Sequence, residues 1–485
     1  MPRTTLKLLA AGSLLFMSAC GGGQSAPSDY SPEIEESERQ LGAEQHPMLL
    51  AEFGGSYDAP EAAYMARIGE KVASAAGLGG QCKFTLVNSD VVNAFAVPGC
   101  YIYLTRGLFG LVNSEAELAS VLAHEVGHIV ADHSERQQKR SIWRGLGVMA
   151  VGLLTGSQSL ARLAGGAAEY FTLRYSRKQE YESDDLGIHY LRLAGYDPAA
   201  AGDMLGALAR QEQFLAQSRG RDEARSIPEW ARTHPLTENS IQRASQTAAA
   251  TGFADKLPEN EAAYLREVDG LLYGDDPRQG FVQGRRFAHP VMRIGFEAPE
   301  GFKLTNSPQA ILIDGPDGMR GEFGGGVMPA DGLEGYANAL IGQMLEGAQI
   351  QVGTAQRTQV NGVPALFVPV GVTTQEGEVQ LSLAVYAGGG NQAYHFMMVS
   401  SPGQGTGAAI GQLFGSFHLL SDQEVRNLRP HVIRVVTAGP QDSVQTISRR
   451  MASDHQLAHF LTLNGRTAQE PLKAGEKVKI VTLAD

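Results

Sequence analysis

Up to about residue 270, apolar residues recur mostly at helical spacing. Residues 33 to 76 carry this spacing, interrupted at Gly54-Gly55 and Pro60 and ended by Gly77-Leu78-Gly79-Gly80. Lys83 to Thr105 then alternates in strand fashion around Val97-Pro98-Gly99, and its outer runs, Lys83–Asn88 and Tyr101–Thr105, are candidate hairpin neighbours. Helical spacing resumes at Ser114, where Glu117 three residues later offers a capping box. Leu118 to Val130 is apolar and free of proline, which predicts a buried helix. Gly145 to Ala168 is rich in Gly, Ala and Leu and uncharged except at Arg162. Gly and Ser break each of its apolar runs, so it reads as a membrane-contacting or lid segment, or as a buried helix or loop, rather than a spanning helix. Glu169 to Ala194 is helical again and stops at Gly195-Tyr196-Asp197-Pro198. Two more helices are expected over Ala199–Ser218 and Thr237–Ala250.

A turn-rich stretch, Gly274 to Gly280, marks a boundary. Beyond it the pattern changes to strands such as Val379–Tyr386 and Ala393–Ser400, separated by Gly/Pro turns and interrupted by one helix, Leu333–Leu345. This region reads as a small α+β domain over residues 281–420, with no chemical signature. The last 55 residues read as a separate unit of strand, two helices and strand, opening with His431 to Val436 and closing with Leu472 to Ile480.

A length of 485 residues exceeds one ordinary core, in keeping with several domains. The net charge of −12 argues against a nucleic-acid partner, since a polyanion would be repelled over most of the surface. The first 19 residues have a basic start, an apolar run from Leu8 to Met17 and small residues before Cys20, the pattern of a secretory signal. Residues 20–32 read as a flexible tether. An exported chain would meet an oxidising compartment, where Cys82 and Cys100 are able to bond.

The candidate chemistry sits on the helix at Leu118–Val130, which contains His124-Glu125-Val126-Gly127-His128. Residues four apart share a helix face, so His124 and His128 can hold one metal ion, with Glu125 beside it to take a proton from water. Catalytic zinc wants a third protein ligand. His133 lies roughly 140° round a continued helix from His128 and would point away. Glu180 and Asp184 stand one turn apart on a later helix. Glu180 can serve there as ligand, and Asp184 as acceptor of a ligating histidine's Nδ1–H. Glu182 is roughly 200° from Glu180 and would lose this arrangement. His234, in Arg232-Thr233-His234-Pro235, is a candidate for stabilising an oxyanion or for ligating the metal at rest. Asn93, Ala94 and Phe95 open a strand that can offer its edge to an extended peptide.

Several separated motifs carry a family resemblance. Asn93 to Gly99, Thr105-Arg106-Gly107-Leu108, Glu117 to His128, and Glu180-Tyr181-Glu182-Ser183-Asp184 with Thr233-His234-Pro235 resemble the CAAX prenyl-protease and HtpX-like gluzincin metallopeptidases. The likeness is nearest to their secreted bacterial lipoprotein branch and covers residues 33 to about 270. Ser183 stands where that family has alanine, and Cys100 where it commonly has glycine. The resemblance implies one Zn2+ per chain, held by His124, His128 and Glu180, with Glu125 as general base. It implies a role in hydrolysing misfolded or misassembled envelope proteins. Ser18-Ala19-Cys20 resembles a lipobox, implying lipidation of Cys20 and a periplasmic place, with the outer membrane favoured by Gly21. The last unit is similar to a LysM domain, implying contact with peptidoglycan. An envelope scaffold or chaperone, or a peptidoglycan-binding lipoprotein, keeping a structural zinc site is the competing reading. The expected fold is multidomain: a mainly α-helical zincin-like metallopeptidase domain with a small β-sheet (33–273), a small α+β domain (281–420) and a βααβ LysM-like domain (430–485).

Overall fold

A computed structural model describes residues 33–134, 175–218, 230, 234, 238–345, 348–374, 377–401 and 407–484. The signal, the tether with Cys20 and the Gly145–Ala168 stretch lie outside the described residues.

Helices α1 (Glu36–Glu52) and α2 (Pro60–Ala75) precede three strands, β1 (Lys83–Val87), β2 (Ala94–Val97) and β3 (Tyr101–Thr105). Helices α3 (Arg106–Leu111) and α4 (Glu115–Val130) follow, then α5 (Arg177–Leu193), α6 (Ala200–Ser218), α7 (Glu238–Ala250) and α8 (Glu261–Val268). The sheet order is β1-β3-β2. The expected neighbours β1 and β3 do pair, but in parallel, and the hairpin is β2–β3. The Pro98-Gly99-Cys100 turn forces this, because it can reverse the chain only between β2 and β3. Cys100 takes the left-handed conformation at φ 58°, the position the resemblance assigns to glycine. The parallel register sets Cys82 opposite Cys100, and the two are disulfide-bonded. Among the described residues no strand pairs with the second edge of β2.

The expected capping box forms by half. Ser114 accepts from Glu117 N–H at 3.0 Å, but the Glu117 carboxylate turns to the Asn113 N–H at 2.8 Å. The Lys479 ammonium favours the charged form of this carboxylate.

Middle-domain residues form an eight-stranded sheet built mainly from antiparallel pairs. Side chains on its Gly377–Ala387 strand alternate between faces. Leu381, Leu383 and Val385 pack under the helix Gly332–Met344, whereas Ala384 and Tyr386 join an aromatic core with Phe296, Phe396 and Phe417.

The final unit has the expected order: strand His431–Thr437, helices Val444–Ser448 and Gln456–Leu463, strand Lys477–Leu483. It is not set apart from the peptidase-like domain. The strand His431–Thr437 pairs with Leu272–Tyr273, and Ile433, Ile447, Phe460, Val478 and Ile480 belong to the same buried core as α2, α4 and α5.

Candidate metal centre

Helix α4 starts at the Ser114 cap and is buried nearly all round, as its apolar composition requires. It crosses α5 closely because the contact residues are small. A Cβ on Gly127 would sit 2.8 Å from Ser183 O, and one on Gly187 3.1 Å from His124 N. Ser183 uses its hydroxyl at this crossing, donating to the His124 carbonyl at 2.6 Å.

This crossing brings the chosen side chains together. His124 Nε2 and His128 Nε2 are 3.0 Å apart, and Glu180 approaches them at 3.5 and 3.7 Å. His234 completes the group, with Nδ1 3.1 Å from Glu180 Oε2 and 3.3 Å from His124 Nε2. All four are buried. Four donors around a zinc ion at its usual bond lengths stand about 3.3 Å from one another, and with all four ligand atoms within 4.8 Å of one another the group is compatible with one ion. Asp184 Oδ1 lies 3.0 Å from His124 Nδ1, on the ring's far side.

Glu125 is fully buried beside the group; neither carboxylate oxygen has a well-formed hydrogen bond, although the Ala96 backbone is close enough to favour its charged form. Its nearest ionic neighbour is His234 Nε2 at 3.6 Å. Glu180 Oε1 is likewise without a hydrogen bond. Leaving a buried polar atom unpaired costs about 1–3 kcal/mol, and more for a charge, so a cation among these atoms would answer a standing deficit.

The electrostatics suit ligation. Burial pushes Glu180 up, but His234, His124 and His128 outweigh it and hold the carboxyl well below its ordinary range. Burial and the His124 charge hold His128 well below its ordinary value. Burial also pulls on His124, yet its bonds to Asp184 and Glu180 keep it well above. An anionic Glu180 and a neutral His128 are the ligating forms; His124 must shed a proton to an entering ion. Burial raises the Glu125 carboxyl, the direction that makes a better base.

Three neighbours carry no motif of their own. Tyr175 stacks on His128 with ring centres 3.9 Å apart, and Trp230 stacks on His234 at 4.3 Å. Both are nearly fully buried, and isolated aromatics give no spacing signal. His133 is the third, and here the expectation is corrected. It does not point away: its Nδ1 lies 2.8 Å from His128 Nδ1. Helix α4 ends at Val130, and Asp132 turns left-handed at φ 52°, so the angle for a continued helix does not apply. Asn93 is buried before β2, and Phe95 turns its ring to Tyr103 and Phe53, leaving β2 only its backbone to offer a peptide.

Residues 59–248 match the model of peptidase family M48. Over this stretch the chain is similar to that family. M48 metalloproteases use zinc, and the buried His124, His128, Glu180 and His234 set is compatible with one such ion. The chain is 33% identical over 202 residues to a beta-barrel assembly-enhancing protease of Yersinia pestis, covering 40% of each chain. It is 31% identical over 160 residues to the mitochondrial metalloendopeptidase OMA1 of Arabidopsis thaliana, covering 29% of this chain and 32% of the relative. The human mitochondrial metalloendopeptidase OMA1 is 28% identical over 166 residues, covering 32% and 30%. The chain thus spans about two-fifths of the length of the first curated relatives it matches. No helix of the described residues is long and apolar enough to cross a membrane.

Proposed function

We propose that the chain is a zinc endopeptidase of the bacterial envelope, of the secreted lipoprotein branch, anchored through lipid on Cys20 and facing the periplasm from the outer membrane. Its substrates are misfolded or misassembled envelope proteins, and its C-terminal unit contacts peptidoglycan. The observation that carries the catalytic reading is Glu125, a fully buried carboxylate with neither oxygen in a well-formed hydrogen bond, beside a convergent ligand set. A purely structural zinc would not call for it.

Bound zinc would polarise a carbonyl and acidify water at His124, His128 and Glu180. The β2 edge pairs with an extended peptide and lays one of its carbonyls against the cluster. Glu125 takes a proton from the attacking water as the water oxygen bonds to the carbonyl carbon. The same carboxyl then delivers that proton to the departing amide nitrogen as the C–N bond breaks. His234 acts in one of two positions: turned in, it fills the fourth ligand place, and displaced, it can face the oxyanion.

One observation favours the scaffold reading. With His234 turned in, four protein ligands close the set, which is the habit of structural zinc. A Glu125→Gln variant separates the two. The peptidase reading expects zinc retained and casein hydrolysis reduced ~10²–10⁴-fold. Wild-type chain that holds zinc yet never cleaves an unfolded protein supports the scaffold.

A further inference from the structure

The two imidazoles of α4 are held from behind in different ways. His124 Nδ1 meets a carboxylate, Asp184, directly. His128 Nδ1 meets another ring, His133, at 2.8 Å, and His133 Nε2 faces Glu182 Oε2 at 3.4 Å. We infer that His133 and Glu182 form a second orienting arm of the metal centre, acting on His128 as Asp184 acts on His124. This rests on the reading of the cluster as a zinc site.

The direction of the hydrogen bonds follows from that reading. His128 Nε2 faces His124 Nε2 and Glu180, so its lone pair must be free for an ion. The ring's one hydrogen then sits on Nδ1 and is donated to His133 Nδ1. His133 in turn carries its hydrogen on Nε2, where Glu182 accepts it. Every bond runs the same way, from the ion outward to a carboxylate whose side chain is 26% exposed. His133 itself is fully buried, and Gln179 donates to its carbonyl at 3.5 Å, holding its backbone near α5. The arm serves two ends: it fixes the tautomer that ligates, and it locks the ring orientation. Neither His133 nor Glu182 reaches the substrate, so both are positioning residues.

The left-handed turn at Asp132 makes the arm possible. Continued helix would carry residue 133 away from His128; termination at Val130 folds it back over the ring. Glu182 is available because Glu180 and Asp184 take the face of α5 toward the cluster, which leaves 182 pointing elsewhere on the helix.

The test is zinc binding by the purified full chain, stripped of metal and titrated with Zn2+ against a chelating dye. Removing an orienting partner typically costs 10–100-fold in metal affinity. A His133→Phe variant, which keeps an aromatic ring beside Tyr175, is expected to bind Zn2+ ~10–100-fold more weakly. His133→Asn, whose amide oxygen sits near the Nδ1 position and can accept from His128, is expected to recover most of that loss. Glu182→Gln, on the partly exposed side, tests the far end without endangering folding and is expected to weaken binding by a smaller factor. A Co2+-loaded sample should show its visible absorption shifted in His133→Phe and near wild type in His133→Asn. Equal affinity for wild type and all three variants overturns the arm while leaving the zinc site intact. So does His133→Asn as weak as His133→Phe, because the ring would then act by packing. A wild-type chain that binds no Zn2+ sinks the zinc reading itself, a separate result.

Discussion

Among the described residues, two clusters of buried ionisable side chains are finished differently. At the join with the C-terminal unit, Lys479 is completely buried and donates to the carbonyls of Gly110, Leu111 and Val112 at 2.8–2.9 Å. Burial pulls it down to about 7 and pushes its neighbour Glu117 up to about 7. Three carbonyl acceptors need three N–H donors, which only the ammonium form supplies, and Glu117 answers its charge. Neither side chain keeps an unpaired buried atom among the described residues. The ammonium closes the open carbonyl end of α3, just ahead of the cap of α4. The metal cluster is the reverse: Glu125 and Glu180 retain unpaired buried oxygens. Burial of charge alone therefore does not mark a site. What sets the metal cluster apart is that its unpaired oxygens converge with histidine nitrogens on one point.

The contrast is open to attack from both sides. The largest effect is expected from Glu125→Gln: a ~10²–10⁴-fold loss of hydrolysis, measured on casein, with zinc content kept. The metal-free variant's urea midpoint should change little, since the Glu125 carboxylate is buried with its nearest ionic neighbour, His234 Nε2, 3.6 Å away. A markedly lower midpoint would mean that this pair holds the fold. Next comes Lys479→Met, which strands Glu117 and three carbonyls and should destabilise the chain by about 3–5 kcal/mol in urea unfolding. Adding Glu117→Gln should recover part of that loss. Chelation is expected to lower the melting temperature of zinc-loaded chain. At a thousandfold excess over Kd the ion contributes about 4 kcal/mol, and readdition should restore it. The smallest effect is Ser183→Ala, which removes one bond to the His124 carbonyl and should cost about 1 kcal/mol of stability.

Much of the metal centre is legible in the sequence because helical periodicity is local. Four-residue spacing places His124 with His128 and Glu180 with Asp184 on shared faces, and the structure brings the two faces together. What escapes depends on where elements stop or on distant contacts. Periodicity misplaces His133 because its position follows from a helix end at Val130 that no nearby glycine or proline announces. The parallel pairing of β1 with β3 depends on β2 folding back first, which alternation does not encode. Lys479 reads as one more lysine on an alternating strand; its three acceptors lie about 370 residues away in the chain. The C-terminal unit looks separable in sequence for the same reason, although Ile433 and Ile480 complete the core around α4.

The centre is most directly examined by X-ray absorption at the zinc edge on full-length chain loaded with one equivalent of Zn2+. The account predicts a four-coordinate site of nitrogen and oxygen donors near 2.0–2.1 Å with scattering from at least two imidazoles, and loss of stoichiometric binding in His128→Ala. Sulfur in the shell, a six-oxygen environment, or undiminished binding by His128→Ala would contradict it.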